Sequence, residues 1–521
     1  MMPKNLREEL QNLIVNCIEG SRFCVAVTPT GSGKSRLVVH KPEVLKVFGH
    51  VLHVLPMRSI IEDLVVDAAC RLGSSVGYQA GISRIGYCRI GDVCEALNPI
   101  EEKTCGGELC KEVVYVERDP YMLNKQYVVT TYDSYSLSLL LAPVPEITYS
   151  QYGHPDLAFA VAGTSLNIFD EIHLLSPDIA KAVSENGGDK IKAWSFIAAA
   201  SYILAKLKTP FLYLSATLTP APIQILVETT NISPRAVLAS SMWIYEEFRK
   251  VFGDAIDFIN LEKEASNLAE TYIKNLKTEI SSVESAKILE EICLNGLASK
   301  VLVVTNTVEK AAEVYRKCFD VCRSRGYEVI LIHGRMSHLH RSSLVSKIKC
   351  LSKDDKARFV VIATQVVEAG VDLDADVLVT DVAPMDSLIQ RAGRVLRHRI
   401  DREGKVVVSV SQDAVESCKA VYGDECEEVV NKLTELVNRC GNVDWRYGFP
   451  EKCTAYKILF DVASKSDVEN AMLSVRSYKN KLIMGILYHI PGTKIDDKAK
   501  NLEDLFRGSV IRDSVRIPFV V

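Results

Sequence analysis
Short apolar runs recur along the chain, each followed by a polar or helical stretch: Phe23–Thr28, His50–Leu55, Tyr127–Thr131, Leu166–Phe169 and Phe211–Leu214. They resume as Lys300–Thr305, Glu328–His333, Arg358–Ala363 and Val377–Asp381. Runs that are apolar throughout suit strands covered on both faces, and their alternation with helical pattern predicts parallel sheets with crossover helices. Between about Pro220 and Ser299 the pattern is mostly helical, as in Ser281–Leu297, and reads as the joint between two α/β lobes. Past a last strand at Lys405–Val410 the pattern turns to charged helix and opens a tail. The expected fold class is α/β. A first lobe covers 1–235, joining helices and a second lobe cover 236–410, and an accessory C-terminal domain covers 411–521.

Bulk numbers narrow this further. A chain of 521 residues is too long for one core. With 48% hydrophobic and 25% charged residues it has an ordinary globular composition. Its first ten residues are polar and charged, and no run of 18 apolar residues occurs. Neither a signal peptide nor a membrane span is therefore expected, and the cytoplasm is the expected location. Net charge is −4, so any nucleic acid must be met by a local groove and not by global attraction. The 15 cysteines, in a reducing compartment, are expected to be buried thiols, with any tight cluster a metal candidate. Only 8 glutamines occur, which fits a hot habitat.

The first chemical motif follows the first strand: Pro29-Thr30-Gly31-Ser32-Gly33-Lys34-Ser35. Gly31 and Gly33 let the backbone curl so that its amides face phosphate, with Thr30 and Ser32 in the same loop. Lys34 would neutralise the β and γ phosphates of ATP, and Ser35 would ligate magnesium. Thr28 stands where stricter phosphate loops have glycine. Upstream, Gln11 lies at a distance suited to reading adenine. Leu166–Phe169 ends in Asp170-Glu171-Ile172-His173, which puts carboxylates at the carboxyl end of a parallel strand. Asp170 would hold magnesium through water, and Glu171 would orient and deprotonate the attacking water. His173, with Ser215 and Thr217 downstream, would couple that site to the second lobe.

In the second α/β region lies Gln390-Arg391-Ala392-Gly393-Arg394-Val395-Leu396-Arg397. Arginines three apart share a helix face, so Arg394 and Arg397 can reach one cleft together as cations for the transferring phosphoryl group. Gln390 would contact the γ-phosphate or the water. Ahead of it, Thr364 is placed for a backbone phosphate of nucleic acid, and Gly370 with Asp372 for the ribose. Other nucleic-acid candidates are Arg58, Thr130, Thr131, Thr305 and Thr307, each beside a strand end.

From Gln11 to Arg397 these motifs resemble superfamily 2 helicases, which implies two RecA-like lobes, ATP and magnesium. Four stretches resemble a narrower family, the helicase of type I CRISPR interference: Pro56–Glu62, Asp170–His173, Thr364–Asp372 and Ala383–Arg394. That resemblance implies three-prime to five-prime movement on single-stranded DNA exposed by an RNA-guided surveillance complex. The commonest members carry an N-terminal HD nuclease. Here the adenine-side motif begins close to Met1, so a split form is expected, with the nuclease on a separate polypeptide. Two alternatives are an iron–sulfur DNA-repair helicase and a catalytically inactive helicase-fold scaffold.

Cys88, Cys94, Cys105 and Cys110 lie close together in an insert over about 80–115 of the first lobe. Four thiolates at that density suit zinc or an iron–sulfur cluster. Free thiols are the alternative. Cys318 and Cys322 read as core packing, and Cys418, Cys426, Cys440 and Cys453 as buried thiols.

Overall fold
The computed structural model describes residues 2–56, 58–81, 84–90, 93–96, 110, 112–141, 155–175, 189–368, 371–464 and 468–487. Among the described residues, eleven strands precede residue 261: β1 (Phe23–Val27), β2 (Val51–Leu55), β3 (Val76–Gln79), β4 (Ile85–Ile90), β5 (Val93–Ala96), β6 (Val113–Val116), β7 (Tyr127–Thr131), β8 (Leu166–Phe169), β9 (Phe211–Ser215), β10 (Arg235–Ser240) and β11 (Ile256–Asn260). Eight of them form a parallel sheet in the order β11-β10-β1-β9-β8-β2-β7-β3. The other three make a small antiparallel sheet, β5-β4-β6, within the cysteine-containing insert. A second parallel sheet follows from β12 (Leu276–Ser281), β13 (Lys300–Val304), β14 (Glu328–Ile332), β15 (Phe359–Ala363), β16 (Val377–Asp381) and β17 (Gly404–Ser409), in the order β12-β17-β16-β13-β15-β14.

Every residue of β1, β2, β7, β8, β9, β13, β15 and β16 is buried, which is why these runs are apolar without alternation. The first sheet continues to Asn260, past the expected boundary at 235. Its last strand, Ile-Asp-Phe-Ile-Asn, is an edge strand and mostly half-buried, so it carries a weaker apolar signal than the central strands.

The tail touches both lobes. Helices Gln412–Tyr422 and Glu425–Cys440 lie on lobe two, where Lys310 pairs with Asp413 at 2.6 Å and Gln365 donates to the Tyr422 hydroxyl at 2.8 Å. Helix Val468–Leu487 lies on lobe one against helix Asp189–Lys206, and Lys479 donates to the Thr229 carbonyl at 2.6 Å. Among the described residues no helix is long and apolar enough to cross a membrane.

The expectation for the cysteines is corrected. Cys88 is bonded to Cys110 and Cys94 to Cys70, while Cys105 lies outside the described residues. A disulfide sulfur offers no thiolate to a metal, so these residues do not fit zinc or an iron–sulfur cluster. Among the described residues, no group of three or more His, Cys, Asp or Glu side chains could hold a metal ion. Cys17–Cys24, Cys293–Cys322, Cys418–Cys426 and Cys440–Cys453 are also bonded, where buried thiols were expected. Cys318 alone among the described cysteines is free; it is buried, and burial pushes its thiol up to about 11.

Candidate active site
β1 delivers the chain into the phosphate loop at the middle of the first sheet. Gly31 (φ 78°) and Gly33 (φ 83°) both take the left-handed region that glycine alone occupies without strain. A Cβ on Gly33 would also lie 2.9 Å from the Arg7 side chain. Thr28 and Ser32 are joined by their hydroxyls at 2.8 Å, so the residue standing in place of the usual glycine braces the loop. The loop leads into a 3-10 turn, Lys34–Arg36, and one turn of α-helix, Leu37–His40, in place of a long helix. Anion binding here therefore rests on loop amides and Lys34 more than on a helix dipole. Gln11 donates to the Gly33 carbonyl at 3.1 Å and meets His40 Nδ1 at 2.9 Å, which ties the first helix, Lys4–Gly20, to the loop.

β8 ends on Asp170, which is fully buried. Its Oδ1 accepts the Glu171 N–H at 2.9 Å, and its Oδ2 lies 3.3 Å from His53 Nε2. The Nδ1 of that ring is held at 2.7 Å by the Tyr127 hydroxyl. Burial alone would push the Asp170 carboxyl up, but the His53 hydrogen bond, the Lys34 charge and a bond from the Ser35 hydroxyl outweigh it, and the pKa falls below the ordinary value. Hydroxyl and ionised carboxylate thus sit side by side, the oxygen donor set that magnesium takes in phosphoryl-transfer sites. Ser35 and Asp170 fit that ion.

Glu171 occupies the left-handed region (φ 49°), a strained conformation for a non-glycine residue and one that clusters at functional sites. Its carboxylate lies 3.4 Å from Lys34 Nζ and 3.4 Å from His173 Nδ1. His173 Nδ1 also meets Ser215 Oγ at 3.0 Å, and its Nε2 lies 3.4 Å from the Gln390 side-chain nitrogen. Burial is the largest cause holding the His173 pKa below its ordinary value. Ser215 Oγ in turn accepts the Thr217 N–H at 3.2 Å. The three coupling residues are therefore contiguous, and they touch the second lobe at Gln390.

Gln390 is carried by helix Met385–Ala392. Across the cleft a Cβ on Gly393 would lie 3.2 Å from Thr30 Oγ1, so the lobes are closed on each other at this point. Arg397 lines the cleft with Thr30, Gly31 and Gly393, and its Nε is 3.3 Å from Asp372, which also meets His398 at 3.1 Å. Arg394 points elsewhere: its guanidinium donates to the carbonyls of Val371 and Glu368, inside its own lobe. Gly370 lies outside the described residues, as does the side chain of Arg58.

The threonines proposed for nucleic acid stand at the carboxyl ends of β7, β13 and β15, with their hydroxyls in internal bonds where a bond is recorded. Thr130 donates to Gln79 at 2.8 Å, and Thr305 to the Thr307 carbonyl at 3.1 Å. Thr131 and Thr307 cap helices Tyr132–Leu139 and Val308–Ser324 by accepting from Ser134 and Lys310. Thr364 precedes the turn Gln365–Val367 and makes no side-chain cap bond.

Several site residues were not singled out from the sequence. His53 and Tyr127 orient Asp170 from neighbouring strands. Arg391, fully buried, bonds Glu368 at 2.7 Å, Thr380 at 2.9 Å and Tyr422 at 3.2 Å, joining the motif helix to the tail. Arg446 and Tyr447 of the tail line the same cleft as Arg397. A buried-strand histidine paired with a tyrosine on the adjacent strand carries no local signal, whereas Arg391 lies inside the Gln390–Arg397 motif.

Two parallel-sheet lobes thus meet at a cleft where the glycine- and lysine-bearing loop of one faces Gln390 and Arg397 of the other. Residues 297–400 match the family model described as "CRISPR-associated nuclease/helicase Cas3, C-terminal". The CRISPR-associated nuclease/helicase Cas3 of Methanothermobacter thermautotrophicus is 36% identical over 141 residues, covering 27% of this chain and 16% of the relative. That of Streptococcus thermophilus is 30% identical over 205 residues, covering 34% of this chain and 21% of the relative. In fold, the crystal structure of T. fusca Cas3-ATP superposes with a TM-score of 0.58 at 17% identity, covering 92% of this chain and 55% of that one. A chain of a CRISPR RNA-guided surveillance complex in a pre-nicking state matches at the same TM-score of 0.58, covering 92% of this chain and 54% of that one. The chain is thus similar in part of its sequence and in its fold to CRISPR-associated Cas3 proteins, and it spans little more than half the length of the solved relatives.

Proposed function
We propose that the chain is an ATP-dependent DNA helicase that translocates three-prime to five-prime on single-stranded DNA in type I CRISPR interference. The observation that carries this reading is the closed cleft: Gln390 reaches His173, and Arg397 lies opposite Thr30 and Gly31. A site assembled from both lobes hydrolyses only when they close, which is how phosphoryl transfer is converted into movement.

In this reading the loop from Thr30 to Ser35 holds the phosphates and Lys34 neutralises them. Gln11 reads the adenine side, and Gly370 with Asp372 the ribose side. Magnesium, held by Ser35 and Asp170, would offset phosphate charge when bound. Glu171 positions a water and takes its proton. Gln390 and Arg397 approach from lobe two, with Arg397 at the cleft, while Arg394 would act as a second cation only on leaving the Val371 and Glu368 carbonyls that hold it in its own lobe. His173, Ser215 and Thr217 relay occupancy between lobes. Arg58, Thr130, Thr131, Thr305, Thr307 and Thr364 line the path of the DNA backbone.

The partners in this reading are the RNA-guided surveillance complex and a separate HD nuclease, and the setting is the cytoplasm. Both matched relatives are named nuclease/helicases, and the family model that matches is described as their C-terminal part. The test is steady-state ATPase rate with and without single-stranded DNA, beside Lys34→Ala and Glu171→Gln.

A further inference from the structure
The tail loop 441–454 is held to both lobes. Trp445 donates to Thr278 of β12 at 3.0 Å, and Trp243, on helix Met242–Phe252, donates to the Gly448 carbonyl at 2.7 Å. The loop is shaped around Asp444, fully buried, whose carboxylate accepts from the N–H groups of Arg446 at 3.1 Å, Tyr447 at 2.9 Å and Gly448 at 2.7 Å, and from the Thr454 hydroxyl at 2.8 Å.

This frame puts Arg446 at the mouth of the phosphate loop, in a cleft that it shares with Thr30, Gly31, Gly393 and Arg397. Arg446 is only 5% exposed. Its guanidinium donates to the carbonyls of Val395 and Leu396 at 3.2 and 3.3 Å, and its Cζ sits 4.3 Å over the Tyr272 ring. Its Nε is buried and has no hydrogen-bond partner. Among the described residues no carboxylate forms an ion pair with it, and the Asp372 carboxylate is taken by Arg397 and His398. A buried cation with a free N–H and no counter-ion is costly unless an anion is meant to arrive. The neighbouring walls are a phosphate loop and a second arginine. The cation excess is felt there too: burial is the largest cause lowering the Arg397 pKa, and the Arg446 charge lowers it further.

We propose that Arg446 is a further nucleotide-binding residue, a cation contributed by the C-terminal segment to the triphosphate held between the lobes. This rests on the phosphate loop being an ATP site. It gives the tail a role: nucleotide entering the cleft pulls on a loop anchored to both lobes, so tail and motor respond to the same ligand.

The experiment is thermal melting of the full chain with and without magnesium and a non-hydrolysable ATP analogue, alongside the KM and kcat of the ATPase. It compares wild type, Lys34→Ala, Arg446→Gln and Arg446→Lys. Loss of one charge-assisted bond to phosphate should raise KM and the analogue concentration needed for half the melting shift by roughly tenfold to a hundredfold in Arg446→Gln. Arg446→Lys keeps the charge but not the fork. It should melt somewhat lower than wild type without nucleotide and bind triphosphate more weakly; the shift that the analogue adds to each variant's own unliganded melt separates a ligand contact from a purely structural one and decides the matter if the glutamine variant does not fold. Wild-type affinity in Arg446→Gln, or in Arg446→Lys where only that variant folds, overturns the proposal. A wild type that neither binds the analogue nor differs from Lys34→Ala overturns the ATP site itself, a separate failure.

Discussion

Lys34 Nζ stands 3.4 Å from the Glu171 carboxylate, so the cation of the phosphate loop and the carboxylate proposed as the base share one charge contact across the cleft floor. Glutamine at 171 removes the base but not the phosphate cradle. Glu171→Gln should therefore lower kcat by about two to four orders of magnitude, the usual worth of a positioned base, while ATP still binds. Lys34→Ala should lose binding and turnover together. Equilibrium binding of a fluorescent ATP analogue separates the two, and equal loss of affinity in both variants would remove Glu171 from the role of base.

His53 holds the Asp170 carboxylate from the next strand at 3.3 Å and is itself held by Tyr127 at 2.7 Å. Outer partners of this kind typically change metal affinity or activity by about 10–100-fold. His53→Asn should raise the magnesium concentration needed for half the nucleotide-dependent melting shift by that order, and leave the ATP KM at saturating magnesium near wild type. An unchanged magnesium requirement would mean that Asp170 is set by its backbone alone.

Cys293–Cys322 joins helix Ser285–Asn295 to helix Val308–Ser324 within lobe two. Closing such loops stabilises a fold by about 2–4 kcal/mol per bridge. The unreduced protein should show far fewer free thiols under denaturing conditions than its 15 cysteines. Reductant should lower the melting temperature in calorimetry, and Cys293→Ser with Cys322→Ser should reproduce part of that loss without reductant. A full set of titratable thiols in protein purified without reductant would contradict the pairing.

Burial lowers the His50 pKa from its usual value near 6.5. Its Nδ1 bonds Ser165 at 2.8 Å, and burial outweighs the Asp119 charge and the nearby Met122 and Lys125 backbone, which favour the protonated ring. The unfolded chain binds that proton more readily than the folded one. Its contribution to stability is therefore complete above about pH 6.5 and is lost as pH falls through the lower folded value. Melting temperature measured from pH 7.5 to 5 should fall less steeply in His50→Asn than in wild type, and parallel curves would contradict this reading.

The parts of the site that could be read in the sequence are those where the chemistry is local. A phosphate loop needs its glycines and lysine within a few residues, and Gln390 to Arg397 is one short run, although its helix ends at Ala392 and Arg394 and Arg397 follow in a turn where a shared helix face was expected. What escaped reading is long-range. His53 and Asp170 are separated by 117 positions, and Cys70 joins Cys94 from a helix outside the cluster that drew attention. The dense spacing of Cys88, Cys94, Cys105 and Cys110 suggested a metal, but Cys88 and Cys110 bond each other and Cys94 bonds Cys70 outside the cluster. Strand β11 was missed because its edge position relaxes the demand for an unbroken apolar run, and β10, though paired on both sides, lay in a stretch read as mostly helical. Arg446 follows a buried tryptophan in a stretch of no recognised motif, and only the fold brings it to the phosphate loop.

The most direct measurement is the steady-state ATPase rate of the full chain with single-stranded DNA, single-stranded RNA or neither, beside Lys34→Ala and Glu171→Gln. Strong stimulation by DNA that vanishes in both variants is the expected result. Stimulation by RNA alone, or hydrolysis that persists in either variant, would contradict a DNA motor driven from this cleft.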